Sequence, residues 1–424
     1  MAGELCGCEN MVAFTRYGEM SRRQRRLLTS ALGASAVKTF RPLLTIESLS
    51  LVKHLLADPQ DFAGYIRRYA GQLTLQSIYG HHVTSNDDEF VKLAEESVDI
   101  LANRIASGGG IWLVDIFPFL KHLPLWLPGA GFKRKAIEWR KKMEEFVDRP
   151  YDHVRQRMVR SFPKRNGTAV PCFVTTVLEN SSDAKESKTI DPQLDFDLRW
   201  TANSMYGASI DTTVTVVLHF MHQMMEHPEV LKEAQAEVDR VVGTSRLPDF
   251  EDRPSLPYLE ALMNEVLRVS VPVPMGLPHR LMEDDVYNGM FIPKGSLVFA
   301  NIWNMLRDES VYPDPHAFNP ARFLAPADEA TVKRRDPRHY VFGFGRRRCP
   351  GAHLIEQSLW IVIATAVATL DIHKPIGPDG KTLEQKVVFE NSVFRLPSSF
   401  QCDIRPRSSQ TLRVVREATD ALGI

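Results

Sequence analysis

The stretch Phe342–Gly351 reads FGFGRRRCPG and places a cysteine, Cys349, on a glycine-rich turn beside three arginines. An apolar run, LIEQSLWIVIATAVATL, follows within a few residues and has the composition of a buried helix. Cys349 therefore precedes a helix N-terminus, where the helix dipole, free backbone N–H groups and neighbouring arginines favour a thiolate. The turn is suited to hold an anionic sulfur.

The residues around Cys349 limit the groups that this sulfur can bind. Zinc needs further ligands at close spacing, and no second cysteine or CxxC lies nearby. The phosphate-binding patterns GxxxxGK[ST] and GxGxxG are absent from the turn. A single thiolate suits the fifth position of an iron whose other four ligands are not protein, which is the arrangement of heme. A buried or redox cysteine on an ordinary arginine-rich loop is the alternative interpretation.

The spacing of the turn resembles the heme-binding signature of the cytochrome P450 monooxygenases, with matching residues at Phe342, Gly345, Arg347, Cys349 and Gly351. The resemblance implies that Cys349 is the axial ligand of heme b and that Arg347 pairs with a heme propionate. The glycines would let the backbone approach the ring. It also implies electrons from NADPH through NADPH–cytochrome P450 reductase, and an apolar small-molecule substrate.

The family also carries a Glu-x-x-Arg pair on a helix, which LPYLEALMNEVLRVS supplies as Glu265 and Arg268. The spacing alone is uninformative, because helical residues three apart often form solvated ion pairs. The segment FNPARF adds context, since the family places a third partner there, which is Arg322 in this chain. Ala321 stands where the family often has glutamate. The three residues are predicted to form a structural network around the cysteine turn.

The long helical stretch DFDLRWTANSMYGASIDTTVTVVLHFMHQMM contains the sequence GASIDTT. A lone copy indicates only a core helix with small residues. Beside the cysteine turn it resembles the family's oxygen-activation segment, in which Asp211 and Thr212 would help to deliver protons. Ser209 and Ile210 stand where a glycine and a small residue are common. We therefore expect a bulkier pocket floor.

Further contacts to heme and substrate follow from the resemblance. His279, in the run PHR…EDD…YNGMFIPKG, matches a propionate contact, and so does Arg25 in YGEMSRRQRRLL. Ser21 stands where the family usually has tryptophan, so one contact on the heme side is expected to be weaker. The substrate is expected to face the middle of the long helix, the segment Val271–Leu277 and the last hairpin. The substrate candidates are Met205, Ser209, Val273, Met275 and Phe394.

The composition is that of a soluble globular protein, with 44% apolar and 25% charged residues. Lysine plus arginine equals aspartate plus glutamate at 52 each, so nucleic acid is not an expected partner. Helical spacing dominates the first two-thirds of the chain. VYNGMFIPKGSLVFANIW predicts two short strands, and VVFENSVFRLPSSFQCDIRPRS predicts a small hairpin. The predicted fold is mainly α with a minor β part.

The resemblance runs from about Tyr17 to Arg407 and predicts one cytochrome P450 domain over residues 1–424. Related proteins begin with a membrane anchor, a first helix and the first strands of a sheet, and the sequence shows none of these. We favour a start assigned too late over a truncated gene product. The strands in Tyr287–Asn301 would then lack neighbours and expose apolar surface. Whether the chain as written binds heme is left open.

Two segments have alternative interpretations. Ile116–Phe132 contains large apolar residues in a stretch broken by proline and glycine; they form either core, the default expectation, or a patch that enters a membrane surface. Cys6 and Cys8 are expected to be ordinary thiols near a frayed terminus rather than metal ligands. By family, the expected location is the cytosolic face of the endoplasmic reticulum membrane.

The sequence thus predicts a heme-thiolate monooxygenase. The sequence resembles fungal members of the family that act in secondary metabolism, often on terpenoids or polyketides. This assignment of a substrate class is an analogy with the family. One alternative is a family member that rearranges oxygenated lipids without O2. Another is a truncated, non-catalytic paralogue with impaired heme binding.

Overall fold

The computed structural model describes residues 1–106, 112–161, 172–180, 190–390 and 392–424. These residues form two compact units. The first unit comprises Met1–Val214, Pro350–Ser358 and Leu422–Ile424. The second comprises Thr215–Cys349 and Leu359–Ala421.

The first unit is helical. Its elements are α1 (Glu19–Leu32), α2 (Arg41–Ala57), α3 (Phe62–Tyr79), α4 (Glu89–Asp99), α5 (Leu113–Ile116), α6 (Gly131–Ser161), α7 (Phe173–Asn180) and the first part of α8 (Pro192–Glu226). A π-helical turn at Ile100–Ala106 follows α4, and α6 contains Pro150. The helices predicted from apolar spacing over this part of the chain are confirmed.

The second unit contains the rest of α8 and the strands. Its other helices are α9 (Pro228–Val241), α10 (Pro257–Ser270), α11 (Ile302–Met305), α12 (Glu329–Arg335), α13 (Arg338–Val341), most of α14 (Ala352–Thr369) and α15 (Ser409–Leu422). Its strands are β1 (His279–Arg280), β2 (Asp285–Tyr287), β3 (Met290–Ile292), β4 (Leu297–Val298), β5 (Leu370–His373) and β6 (Asp403–Pro406). They form antiparallel pairs β1–β4, β2–β3 and β5–β6. The predicted class, mainly α with a minor β part, is confirmed.

Helix α14 is the apolar helix that follows the cysteine turn. It is long and apolar enough to span a membrane, but 67% of its 18-residue apolar window is buried within the protein. Leu359, Trp360 and Ile361 are fully buried. Apolar residues on all sides are typical of a core helix as well as of a membrane span, and its burial indicates the core.

The hairpin β2–β3 follows from its turn, because Asn288 and Gly289 both have positive φ, 49° and 76°. This is the geometry that a two-residue hairpin turn requires and that the Asn-Gly sequence predicts. Among the described residues, β1–β4 and β2–β3 are separate two-stranded sheets. Their apolar side chains are exposed, Phe291 by 65%, as expected for strands that lack further neighbours.

The C-terminal hairpin differs from its prediction. Phe389 and Pro397 form an isolated bridge that closes a turn around Phe394. The β6 residues, however, pair with β5, which follows α14 directly, so the predicted segment is divided between two pairings. The sequence pattern identified extended residues correctly and assigned the wrong partner to the last of them.

Two expectations about the first unit are wrong. Cys6 and Cys8 are buried, so the N-terminus is packed rather than frayed. The default expectation of core for Ile116–Phe132 also fails, because large side chains there are solvent-exposed, Trp126 by 79%. We call the exposed residues the apolar patch: Leu113, Ile116, Phe117, Phe119, Leu125 and Trp126. It rests on α6, where Lys133 and Arg134 donate to the carbonyl oxygens of Leu123 and Leu125 at 2.7 and 2.6 Å.

Candidate active site

The cysteine turn is held by its own backbone. The Cys349 N–H donates to the Phe342 carbonyl oxygen at 2.7 Å and so closes the loop. Gly343 and Gly345 have φ values of 71° and 55°, the left-handed region that glycine adopts without strain. A Cβ atom added at either glycine would meet no atom within 4 Å. The loop therefore presents bare backbone to open space, as a flat ring that approaches it closely would require.

Cys349 is the exposed cysteine of the chain, and the other four are buried or half-buried. Burial raises the pKa of Cys6 to about 11 and the pKa values of Cys8 and Cys402 to about 12. Burial also raises the pKa of Cys172. These four thiols stay protonated at neutral pH, whereas the exposed Cys349 sulfur is accessible to a ligand.

The residues at this turn fit heme. A lone accessible thiol, open glycine backbone and adjacent arginines are the donor set for a heme iron and its propionates. Within the described ranges, no group of three or more His, Cys, Asp or Glu residues is arranged to hold a metal ion by itself. Cys349 would hold the iron. The half-buried Arg347 would pair with a propionate, as predicted.

A buried ion network lies in the same unit as the turn. Arg268 donates from Nε and Nη2 to the two Glu265 carboxylate oxygens, each at 2.7 Å, and both side chains are fully buried. Arg322 donates from Nε to Glu265 at 3.2 Å and is 8% exposed. The remaining Arg268 donors reach the carbonyl oxygens of Leu306, Pro315 and Ala317. The three predicted partners thus form one network with its donors satisfied.

Two other Glu-x-x-Arg pairs show that spacing alone does not create such a network. Glu19 and Arg22 form an exposed pair at 2.8 Å. Glu237 lies 3.9 Å from a mostly exposed Arg240 and instead accepts the backbone N–H groups of Tyr258 and Leu259, at the start of α10. An exposed pair such as Glu19–Arg22 contributes little to stability.

The network is connected to the cysteine turn through one hydrophobic cluster. The Arg268 guanidinium lies over the Tyr312 ring, with its carbon 5.3 Å from the ring centroid. Tyr312 belongs to a buried cluster with Val271, against which Tyr340 and Val341 pack. These last two residues end α13 and lead directly into Phe342. The network therefore braces the segment that enters the turn.

The predicted oxygen-activation residues lie on α8 in the first unit. The Thr212 hydroxyl donates to the Ala208 carbonyl oxygen at 2.8 Å. The lone pairs of the hydroxyl oxygen can therefore still accept a hydrogen bond. Asp211 is half-buried. The Ser209 hydroxyl lies 2.9 Å from the Thr74 hydroxyl on α3, so the side chain that replaces a common glycine forms a contact between two helices.

The remaining predicted residues are distributed over both units. In the first unit, Arg25 is half-buried on α1, Ser21 is buried and Met205 packs against the cluster of Val12, Leu28 and Leu32. In the second unit, His279 is exposed at β1, Met275 is exposed, and Val273 and Phe394 are half-buried. The second unit thus contains the network, the turn as far as Cys349, and His279, Val273, Met275 and Phe394. The heme and substrate roles of these residues stay predictions.

Comparison with known proteins identifies the family. A sequence profile described as Cytochrome P450 matches residues 6–399. The chain belongs to the cytochrome P450 family. It is a monooxygenase-family oxidoreductase, and the family implies a heme-thiolate cofactor.

Fungal P450 monooxygenases are among the similar proteins. The chain is 39% identical to cytochrome P450 monooxygenase claT of Ampulloclitocybe clavipes, over 98% of this chain and 80% of that protein. It is 35% identical to tryptamine 4-monooxygenase of Psilocybe cyanescens, with the same shares covered. It is also 35% identical to cytochrome P450 monooxygenase CLM2 of Gibberella zeae, over 98% of this chain and 76% of that protein.

A solved structure supports the P450 fold. A zebra fish cytochrome P450 with abiraterone superposes with a TM-score of 0.66 at 21% identity, over 95% of this chain and 86% of that one. At this identity the likeness concerns the fold.

Sequence reasoning missed one cluster of this P450. Arg395 contacts His219, Phe389 and Trp303 in the second unit. Arg395 stands 176 residues from His219, and no spacing rule connects them. The only local signal is an arginine inside the otherwise apolar run VFRLP.

Proposed function

We propose that this P450 inserts one oxygen atom of O2 into a C–H bond of an apolar small molecule in fungal secondary metabolism. The second oxygen atom leaves as water, which takes up two protons and two electrons; NADPH supplies the electrons. The observation that carries this proposal is the accessible Cys349 thiol on a turn braced by the buried Glu265–Arg268–Arg322 network. A terpenoid or polyketide is the substrate class that we expect.

Each group in the chain has a distinct task in this reaction. Heme, when bound, supplies the oxidising chemistry. Cys349 would hold the heme iron through its sulfur and supply electron density to it as a thiolate. The Thr212 hydroxyl donates its proton to the Ala208 carbonyl oxygen, and its oxygen can accept a hydrogen bond from a proton donor. Asp211, on the same turn of the helix, is the acid that relays protons.

NADPH–cytochrome P450 reductase is the proposed electron donor. Arg346 and Arg348 are exposed on the cysteine turn and offer positive charge to an acidic partner surface. Docking there would place the donor on the side of the molecule that carries the thiolate.

The apolar patch supports a membrane location. Its exposed aromatic and aliphatic side chains are followed by the basic run Lys133–Lys135 at the start of α6. Apolar groups beside cations suit the interface of an anionic lipid surface. We propose that the patch rests on the cytosolic face of the endoplasmic reticulum membrane.

Oxygen incorporation tests the proposed reaction. The chain would be combined with reductase, NADPH and isotopically labelled O2, together with a panel of terpenes. The expected product carries one labelled oxygen atom. An isomerised product without label would support an O2-independent rearrangement, and no product after demonstrated heme binding would oppose terpenoid substrates.

Thr212→Ala tests proton delivery on α8. Without the hydroxyl, reducing equivalents should be lost as peroxide, so the product formed per NADPH consumed should fall about tenfold. Thr213→Ala is the matched control, because Thr213 donates to the Ser209 carbonyl oxygen at 2.7 Å in the same i to i−4 manner. Equal coupling in both variants would contradict the role of Thr212.

A further inference from the structure

Arg395 joins several segments of the second unit. Its Nη1 donates to His219 Nε2 on α8 at 2.7 Å. Its guanidinium carbon lies 3.6 Å from the centroid of the Phe389 ring and 4.5 Å from that of Trp303. The same nitrogen lies 3.5 Å from the Ser270 carbonyl oxygen at the end of α10. A planar guanidinium suits this combination of ring faces and acceptors.

The hydrogen bond to His219 has a defined direction. His219 Nδ1 lies 2.7 Å from the Thr215 carbonyl oxygen, which can only accept, so Nδ1 carries the proton. Nε2 is therefore the acceptor for Arg395. Burial lowers the pKa of His219 to about 3, so the ring stays neutral at physiological pH. Burial lowers the pKa of Arg395 to about 10, which keeps it a cation.

Backbone bonds connect the same residues to the segment after α10. The Arg395 N–H donates to the Pro272 carbonyl oxygen at 3.0 Å, and the Trp303 N–H donates to that of Pro274 at 2.9 Å. Val271 begins this segment with a φ of 36°, which a β-branched residue rarely adopts. Such strain persists only where surrounding contacts impose it, and it is typical of sites that hold a ligand.

We propose that Arg395 is a positioning residue that fixes the turn carrying Phe394 against the segment Val271–Leu277, and thereby sets which carbon of the substrate is oxidised. This inference rests on the proposed function and on the expectation, drawn from the family resemblance, that both segments face the substrate. Arg395 acts through them: its guanidinium is committed to His219 and to the two rings. The structural alternative is that Arg395 contributes stability alone.

The test compares Arg395→Met and Arg395→Lys with Arg405→Lys in the heme-loaded full chain. Methionine retains the length of the side chain without its charge. Lysine retains the positive charge but lacks the planar guanidinium group. Arg405 is the control, because it is 59% exposed on β6 and pairs with Asp403. Each variant is first examined for thiolate-ligated heme in the carbon monoxide spectrum, which tests the proposed function separately.

Hydrogen exchange gives a readout that needs no substrate. Both Arg395 variants should exchange about tenfold faster over 271–277 and 392–398, while the β5–β6 pair keeps its protection. Arg405→Lys should match the wild type. Unchanged exchange over the two segments in Arg395→Lys would overturn the proposal, and so would equal loss of protection at β5–β6, which would show a general stabilising role.

Product distribution tests the consequence for selectivity. With limonene as the probe, the ratio of its oxidised isomers should shift at least about threefold in both Arg395 variants, with a smaller change in total turnover. A wild-type ratio in Arg395→Lys would contradict the need for the planar group. If the wild type shows thiolate-ligated heme but does not oxidise limonene, the hydrogen-exchange measurement alone decides whether Arg395 positions the two segments.

Discussion

Glu265 lies within reach of two arginine side chains, and its own side chain and that of Arg268 are fully buried. Its two carboxylate oxygens accept from Arg268, and one of them also accepts from Arg322 and from the Asn319 backbone N–H. Desolvating these charges is expensive and is offset only while every partner is present. A single change at Glu265 therefore leaves two buried guanidinium groups without their carboxylate.

Glu265→Gln should lower the free energy of unfolding by about 3–5 kcal/mol, because the neutral amide cannot compensate both arginines. Denaturant unfolding of purified protein measures this difference. Glu19→Gln is the matched control, since Glu19 has the same spacing to Arg22 and both side chains are more than half exposed. Equal losses in the two variants would contradict a buried, stabilising network.

For individual residues, the family resemblance predicted more than the spacing of residue types did. Three Glu-x-x-Arg pairs look alike in the sequence, and only the context of FNPARF distinguished Glu265 and Arg268. The Arg395–His219 contact was not predictable, because it joins residues far apart whose types have no characteristic pairing. The exposure of Trp126 was equally hidden, since an apolar residue in a broken stretch fits core and surface alike.

Among the elements, those with local signals were predictable. Helix α9 begins with Pro228 and ends shortly before Gly243, and β2–β3 turns on Asn288-Gly289. The pairing of β6 with β5 had no local signal, because β5 lies on the far side of a long turn-rich segment. Local chemistry decides the type of an element, and tertiary packing decides its partner.

The apolar patch is the surface feature from which we predict binding to a lipid membrane. Phe119→Glu combined with Trp126→Glu should weaken binding to vesicles of phosphatidylcholine and phosphatidylserine by at least about tenfold, because burying a large apolar side chain contributes about 1.5–3 kcal/mol. Sedimentation with the vesicles measures the binding. Ile376→Glu is the control, as Ile376 is 57% exposed outside the patch. Equal weakening by the control would indicate general loss of hydrophobicity instead.

For the whole molecule, the family and the fold are established by the match over residues 6–399 and by the superposition with a solved P450. The prediction of one domain over residues 1–424 stays a prediction, and the described residues form two compact units. The exposed apolar surface expected of the strands in Tyr287–Asn301 is observed on β3 and β4. The cysteine turn is the feature from which the proposed chemistry of the whole chain follows.

The carbon monoxide difference spectrum of the reduced, heme-reconstituted protein tests the central claim most directly. The wild type should show the long-wavelength Soret band of thiolate ligation. Cys349→Ala should abolish that band, and Cys402→Ala should retain it, because the Cys402 thiol is half-buried and burial raises its pKa to about 12, which keeps it protonated. A thiolate band that survives in Cys349→Ala, or a wild type that takes up no heme, would contradict the assignment of Cys349 as the iron ligand of this chain.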